Sequence, residues 1–160
     1  MTIKVGDRIP AVASLTYMTK DGPKSISTDE IFAGKKVVLF ALPGAFTPTC
    51  SASHLPGYVV QADALREKGV DTIACLSVND AFVMDAWGKA HNAENILMLA
   101  DGNADFAQTV GLELDLRKRG MGVRSGRYAM VVEDGVVKAL NVEAAGEFKV
   151  SSAEEVLKSL

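Results

Sequence analysis

Residues 36–51 read KVVLFALPGAFTPTCS. The first six residues, Lys36–Ala41, form a continuous apolar run rich in β-branched side chains, and Pro43 and Gly44 close it soon afterwards. Such a run is typical of a strand that is covered on both faces. Thr47 is a good helix N-cap and Pro48 suits the first helical position. The stretch therefore predicts a central strand that is followed directly by a helix.

The rest of the chain continues this alternation of strands and helices. The apolar spacing predicts helices over 47–68, 81–91 and 105–110, with a kink at Pro56-Gly57 that divides the first into two pieces, and a last helix capped by Ser151 or Ser152 that ends at Leu160. It predicts strands over 72–78 and 96–100, a hairpin of 128–133 with 136–141, and edge strands joined at Asp21-Gly22 within 1–35. We expect a single α/β domain over 1–160, a central mixed β-sheet flanked by helices on both faces.

Composition narrows the classes of function. The net charge is −3 and the longest basic run is Arg117–Arg119, which predicts no binding to nucleic acid or to an anionic membrane. No apolar run approaches a membrane span and the N-terminus lacks a leader pattern, so we expect a soluble, cytoplasmic protein. The chain has two cysteines and two histidines without paired spacing, which predicts no metal site. No sequence motif indicates a bound cofactor.

Cys50 is the candidate reactive residue. If Pro48 begins the helix, Cys50 is its third residue, and its sulfur lies near unpaired backbone N–H groups at the positive end of the helix dipole. A helix N-terminus favours the thiolate, which is the nucleophilic form of cysteine. The Thr47 hydroxyl could reach the sulfur or an oxygen bound there, and Pro43 could shield the pocket from water. The plainer alternatives are that Cys50 is a small buried side chain and Thr47 only a helix cap.

The spacing Pro43-x-x-x-Thr47-x-x-Cys50 resembles the active-site motif of peroxiredoxins. The wider wording of residues 43–51, 54–58, 77–87 and 127–135 is similar to the type II, or peroxiredoxin-five, subfamily. This resemblance covers about residues 3–160, essentially the whole chain.

The resemblance implies a thioredoxin-like fold and a thiol-dependent peroxidase. Its substrates would be hydrogen peroxide and organic hydroperoxides, and Cys50 would be the peroxidatic cysteine that becomes a sulfenic acid. The fourth site residue of the family would be Arg127, although Arg124 lies close enough in sequence to be an alternative. The resemblance also implies a homodimer, to which the segments of Phe46 and Phe82 could contribute, and a reducing thiol partner.

Two further residues have open roles. His54 lies one turn after Cys50, where it could be a general base, but structural hydrogen bonding is the favoured interpretation. Cys75 lies in a predicted buried strand, where a cysteine is usually inert, although some type II relatives are proposed to use it as the resolving cysteine. The C-terminal resolving cysteine of other relatives has no counterpart within Leu140–Leu160. We therefore favour recycling by an external thiol, either glutathione with glutaredoxin or thioredoxin.

Two other functions compete with the peroxidase. A disulfide oxidoreductase of the thioredoxin or glutaredoxin type would share the fold, but Thr47 occupies the loop position where a second cysteine is expected. A redox-switched binding or chaperone module could use oxidation of Cys50 to change an apolar surface. Partner binding without peroxide turnover would favour that module.

Overall fold

The computed structural model describes residues 2–160. The strands are β1 (Leu15–Thr19), β2 (Gly22–Ile26), β3 (Lys36–Ala41), β4 (Thr72–Ser77), β5 (Leu97–Ala100), β6 (Glu113–Asp115), β7 (Val123–Ser125), β8 (Tyr128–Glu133) and β9 (Val136–Val142). The helices are α1 (Thr28–Phe32), α2 (Leu55–Glu67), α3 (Ala81–Ala90), α4 (Asp105–Thr109) and α5 (Ala153–Lys158), with a π-helical turn over Cys50–His54 and a 3₁₀ turn over Arg117–Arg119.

Seven strands form one mixed sheet in the order β2-β1-β5-β4-β3-β8-β9, and β6 with β7 forms a separate hairpin. The predicted central strand, β3, runs parallel to β4 and antiparallel to β8. Alternate side chains of β3 enter two apolar cores. Val38 and Phe40 pack on the side of α2, α3 and α5, whereas Val37 and Leu39 pack on the side of α1 and α4. The sheet is thus covered on both faces, which confirms the predicted fold class.

Helix α1, the hairpin of β6 and β7 and the 3₁₀ turn between its strands were not predicted. Helix α1 is barely more than one turn long, but Ser27 and Glu30 form a capping box at its start, and this Ser-x-x-Glu pattern was a signal that could have found it. The exposed Arg117–Arg119 run lies in a 3₁₀ turn that connects β6 to β7. Among residues 2–160, no helix combines the length and the apolar character needed to cross a bilayer.

The helix that carries Cys50 begins at Pro48, as predicted, and the backbone N–H of Ser51 donates to the carbonyl of Thr47 at 2.9 Å. It continues to Glu67 without dividing into two pieces at Pro56. Instead, the N–H of Leu55 donates to the carbonyl of Cys50, which widens the first turns into the π-helical turn. A proline ring conflicts with the carbonyl four residues earlier in a regular α-helix, and the wider turn lies where that conflict would fall.

Candidate active site

The loop between β3 and the Cys50 helix is held against the carboxyl end of β4. Its Ala45 N–H donates to Asn79 Oδ1 at 3.0 Å, and the Ser77 hydroxyl donates to the same oxygen at 2.7 Å. Asn79 therefore fixes the loop, while the neighbouring Asp80 caps α3. Phe46 adopts a left-handed conformation, with φ of 63°, and its side chain is 57% exposed. The loop thus turns outward at Phe46 before the helix begins.

Cys50 is buried, and its sulfur accepts a hydrogen bond from Arg127 Nη2 at 3.1 Å. The two residues are far apart in sequence, but the sheet register brings them together. Ala41 at the end of β3 pairs with Tyr128 at the start of β8, so Arg127 lies beside the loop that leads to Cys50. Because a guanidinium stays charged in proteins, the sulfur faces a fixed positive charge as well as the helix N-terminus.

Arg124 does not occupy this position. Its Nε donates to the Met121 carbonyl at 2.8 Å and its Nη1 to the Pro43 carbonyl at 3.3 Å, so it braces the backbone of the loop. A Cβ atom on Gly44 would lie 3.0 Å from this Nη1, so a larger residue there would require the Arg124 side chain to shift. The geometry therefore assigns the sulfur contact to Arg127, as the sequence favoured.

Thr47 lies at the N-cap position, one turn before Cys50. Its hydroxyl donates to the Gly44 carbonyl at 2.6 Å and so closes the loop. A cap would require this oxygen to accept a backbone N–H from the first helical turn, and no such hydrogen bond is present among residues 2–160, so the predicted cap does not form. The lone pairs of this oxygen stay available to accept a hydrogen bond. Pro43 is half-buried next to Gly44, and its shielding of the site stays a prediction.

His54 connects Arg127 to a distant loop. Arg127 Nη1 lies 2.8 Å from His54 Nδ1, and His54 Nε2 lies 3.1 Å from the Ser151 carbonyl. Arginine can only donate, so Nδ1 must accept and the ring must carry its single proton on Nε2, which donates to Ser151. Burial, and then the Arg127 charge, lowers the pKa of His54 from 6.5 to about 3. The neutral ring has its basic nitrogen occupied, so the geometry fits the structural role and not a general base.

This burial predicts an acid sensitivity. Below about pH 6.5, His54 takes up a proton in the unfolded chain but stays neutral in the folded chain. The free energy of unfolding therefore falls by about 1.4 kcal/mol per pH unit until the pH approaches the folded-state pKa. Urea unfolding of the wild type and of His54→Gln between about pH 7 and about pH 4 measures the free energy of unfolding at each pH. We expect this free energy to depend less steeply on pH in the variant. Parallel curves would contradict the buried neutral imidazole.

Aromatic rings enclose the His54 side chain. Phe40 stacks on Tyr58 with centroids 3.8 Å apart, and the His54 ring lies 5.1 Å from Phe40 and 5.0 Å from Phe148. The Arg127 guanidinium lies over the Phe148 ring, with its Cζ atom 5.8 Å from the ring centroid. Sequence reasoning missed Phe148 because it lies in a loop without periodicity.

Cys75 lies in the middle of β4, paired with Phe40 on one side and Met98 on the other, and it is fully buried. Both cysteines are free thiols within the same core cluster. Burial, and then the proximity of a Cys50 charge, raises the pKa of Cys75 well above its ordinary value. The thiol therefore resists ionisation, which disfavours it as a nucleophile.

Trp87 is the single tryptophan of the chain, and it lies on α3 and packs in the core. Its indole N–H donates to the Ser51 hydroxyl at 3.0 Å. Since Ser51 follows Cys50, Trp87 is placed to report changes at the reactive sulfur through its fluorescence.

The chain is similar to known proteins over nearly its whole length. The Redoxin family model matches residues 4–157. Peroxiredoxin-2E, chloroplastic, of Arabidopsis thaliana is 51% identical over 164 residues, which cover 99% of this chain and 70% of that protein. The crystal structure of reduced Prx3 in complex with H₂O₂ from Vibrio vulnificus has 58% identity and a TM-score of 0.95, covering 99% of each chain. Peroxiredoxin 5 from Alvinella pompejana has 38% identity and a TM-score of 0.84, covering 98% of this chain and 97% of that one. With the thioredoxin-like sheet and the Cys50 site already in place, these matches mean that the chain belongs to the redoxin family, as a type II peroxiredoxin.

Proposed function

We propose that Cys50 is the peroxidatic cysteine of this thiol peroxidase, and that its thiolate takes one oxygen from hydrogen peroxide or an organic hydroperoxide. The observation that carries the proposal is the 3.1 Å contact between Arg127 Nη2 and Cys50 Sγ at a helix N-terminus. A charged donor at this place favours the thiolate and has no evident purpose around an inert thiol. The description of the similar Vibrio vulnificus protein as a complex with H₂O₂ supports hydrogen peroxide as a substrate.

The proposed oxidation of Cys50 requires only the thiolate and the hydroperoxide. The thiolate attacks the terminal oxygen of ROOH, a sulfur–oxygen bond forms and the O–O bond breaks, and RO⁻ departs to take up a proton as water or an alcohol. Cys50 is oxidised to a sulfenic acid while the peroxide is reduced. In the proposed step, Arg127 and the amides of the helix start stabilise the departing negative oxygen, and the Thr47 oxygen accepts the O–H of the bound peroxide.

An external thiol is proposed to regenerate Cys50. A disulfide needs its two Cα atoms within about 7 Å and their Cβ atoms directed at each other. Cys75 is fixed in β4 between β3 and β5, so moving it would open the centre of the sheet. Without a resolving cysteine in the chain, the proposed reductant is glutathione with glutaredoxin, or thioredoxin. The proposed cytoplasmic location fits this chemistry, because a reducing compartment supplies such thiols and keeps Cys75 reduced.

The reductant is tested by intact mass after one equivalent of hydrogen peroxide, with and without glutathione. We expect the wild type to gain one oxygen, or a glutathione adduct when that thiol is present, and Cys75→Ala to behave identically. Alanine is the matched variant because a serine hydroxyl would be buried without a partner. Loss of two hydrogens in the wild type but not in Cys75→Ala would contradict external recycling and identify Cys75 as the resolving cysteine.

Native mass spectrometry of the same samples tests the proposed homodimer. Phe46 and Phe82 are 57% and 66% exposed, and Phe46 lies in the active-site loop, so they supply apolar surface for a second copy. A species of twice the 17.0 kDa chain mass is expected. Monomer alone at all concentrations would refute the dimer without affecting the peroxidase proposal.

A further inference from the structure

One carboxylate organises the loop behind the active site. Glu143 follows β9, and its Oε2 accepts hydrogen bonds from the backbone N–H groups of Lys149, Val150 and Ser151 at 2.9, 2.8 and 2.8 Å. The same oxygen accepts the Ser151 hydroxyl at 2.7 Å. The backbone N–H of Glu143 donates to the Arg127 carbonyl at 3.0 Å. Residues 143–151, which we call the Glu143 loop, are thus closed on themselves by a single side chain.

This carboxylate is tuned to stay ionised. Burial alone would raise its pKa, but the hydrogen bonds from the Ser151 hydroxyl and from the three backbone amides outweigh burial and hold the pKa of Glu143 below its usual range. Converging backbone amides form an anion-binding concavity, and here the anion belongs to the chain itself. The loop conformation therefore depends on Glu143.

The Glu143 loop carries two groups that contact His54 or Arg127, and Arg127 contacts the Cys50 sulfur. The Ser151 carbonyl accepts from His54 Nε2 at 3.1 Å and from the Tyr58 hydroxyl at 2.8 Å. Phe148, in the same loop, packs against both the His54 ring and the Arg127 guanidinium. A continuous set of contacts thus runs from Glu143 through Ser151, His54 and Arg127 to the Cys50 sulfur.

We infer that Glu143 is a positioning residue for the peroxidatic site: it fixes the Ser151 carbonyl and Phe148, which orient His54 and hence the Arg127 fork over the Cys50 sulfur. The inference rests on the proposed function for the reaction it supports. Glu143 itself touches neither the sulfur nor its guanidinium partner through its side chain. Its influence passes through the loop.

Glu147 provides a matched control in the same loop. It is exposed, and its carboxylate meets only the Lys149 ammonium, at 3.5 Å, among the contacts found in residues 2–160. Glu147→Ala therefore removes the same charge from the same loop without opening it. Any effect of net charge is shared by the two variants.

The rate of Cys50 oxidation by hydrogen peroxide, followed by Trp87 fluorescence in stopped flow, tests the inference. We expect Glu143→Ala to be about tenfold slower, since small misplacements of catalytic groups cost this much or more. Glu143→Gln should stay within about threefold of wild type, because its amide oxygen can take the place of Oε2 with neutral rather than charge-assisted bonds. Glu147→Ala should match wild type. Equal rates for Glu143→Ala and wild type would overturn the inference.

Two further readouts separate positioning from general stability. In ¹⁵N spectra, the His54 nitrogens should be well separated in wild type, as expected of one fixed tautomer, and should converge in Glu143→Ala. In a double-mutant cycle, adding Glu143→Ala to His54→Gln should slow oxidation by less than about twofold. Fully multiplicative effects would overturn the route through His54. If Glu143→Ala does not fold, Glu143→Asp replaces it in both measurements, because it keeps the charge but its shorter side chain withdraws the carboxylate from the amides of Lys149, Val150 and Ser151. A rate and a His54 spectrum equal to those of wild type would then overturn the inference.

These readouts also separate the inference from the proposed function. The His54 spectrum can be recorded without any peroxide, so it tests the loop even if another residue proves to be the nucleophile. Conversely, loss of reactivity in Cys50→Ser together with an unchanged His54 spectrum in Glu143→Ala would leave the peroxidase intact and refute only the positioning role.

Discussion

Cys50→Ser is expected to lower the rate of hydroperoxide reduction by about 10⁴-fold or more, the scale on which removal of a catalytic nucleophile acts. A serine hydroxyl at this helix start remains neutral at physiological pH, and its oxygen cannot cycle between a thiolate and a sulfenic acid. The measurement is the loss of peroxide with a thiol reductant in excess, alongside the intact mass of the protein. Serine is small enough to keep the Arg127 donor within reach, so the fold should persist.

Cys75→Ala is the control for this substitution, because it removes the only other thiol of the chain. It should retain the wild-type rate of the first oxidation. If Cys50→Ser instead consumed peroxide as fast as the wild type, the assignment of Cys50 would be wrong. If the wild type were oxidised only once and then bound a partner without turnover, the redox-switched module would be the better account.

The sequence was sufficient to predict the local structure of the segment in which three of the candidate site residues lie close together. Pro43, Thr47 and Cys50 belong to one strand–loop–helix segment, where strand hydrophobicity and a first-turn proline act locally, although the predicted Thr47 cap does not form. Local signals also placed the hairpin of β8 and β9 and the last helix, which is capped by Ser152 and ends at Lys158, slightly before the predicted Leu160.

Residues that reach the site from elsewhere were harder to predict. The choice between Arg127 and Arg124 depends on the pairing of β3 with β8, since that register decides which arginine faces the sulfur. The Glu143 loop was not predicted at all, because its order comes from one carboxylate that binds amides six to eight residues later. Such contacts leave no periodic pattern in the sequence, and neither does the π-helical turn at Cys50.

Arg127→Gln is expected to slow the oxidation of Cys50 by about 10² to 10³-fold, as when a preorganised donor to a developing anion is removed. The glutamine is uncharged and shorter, so the sulfur loses the charged donor now at 3.1 Å and the departing oxygen loses its support. Stopped-flow fluorescence of Trp87 at a series of peroxide concentrations measures the second-order rate constant. The unfolding free energy, measured in urea, shows whether the variant is still folded under these conditions.

Arg127→Lys and Arg124→Gln together decide whether it is charge or the forked geometry that matters. Arg127 uses Nη2 for the sulfur and Nη1 for His54, and an ammonium is a point charge that cannot reproduce both contacts in one plane. We therefore expect Arg127→Lys to recover only part of the rate, about tenfold below wild type, because a bidentate geometry is lost while the charge is kept. Arg124→Gln removes an equal charge from the Pro43 carbonyl and should cost less than Arg127→Gln. If Arg127→Lys matched wild type, positive charge near Cys50 would suffice and the fixed fork over the sulfur would not be required.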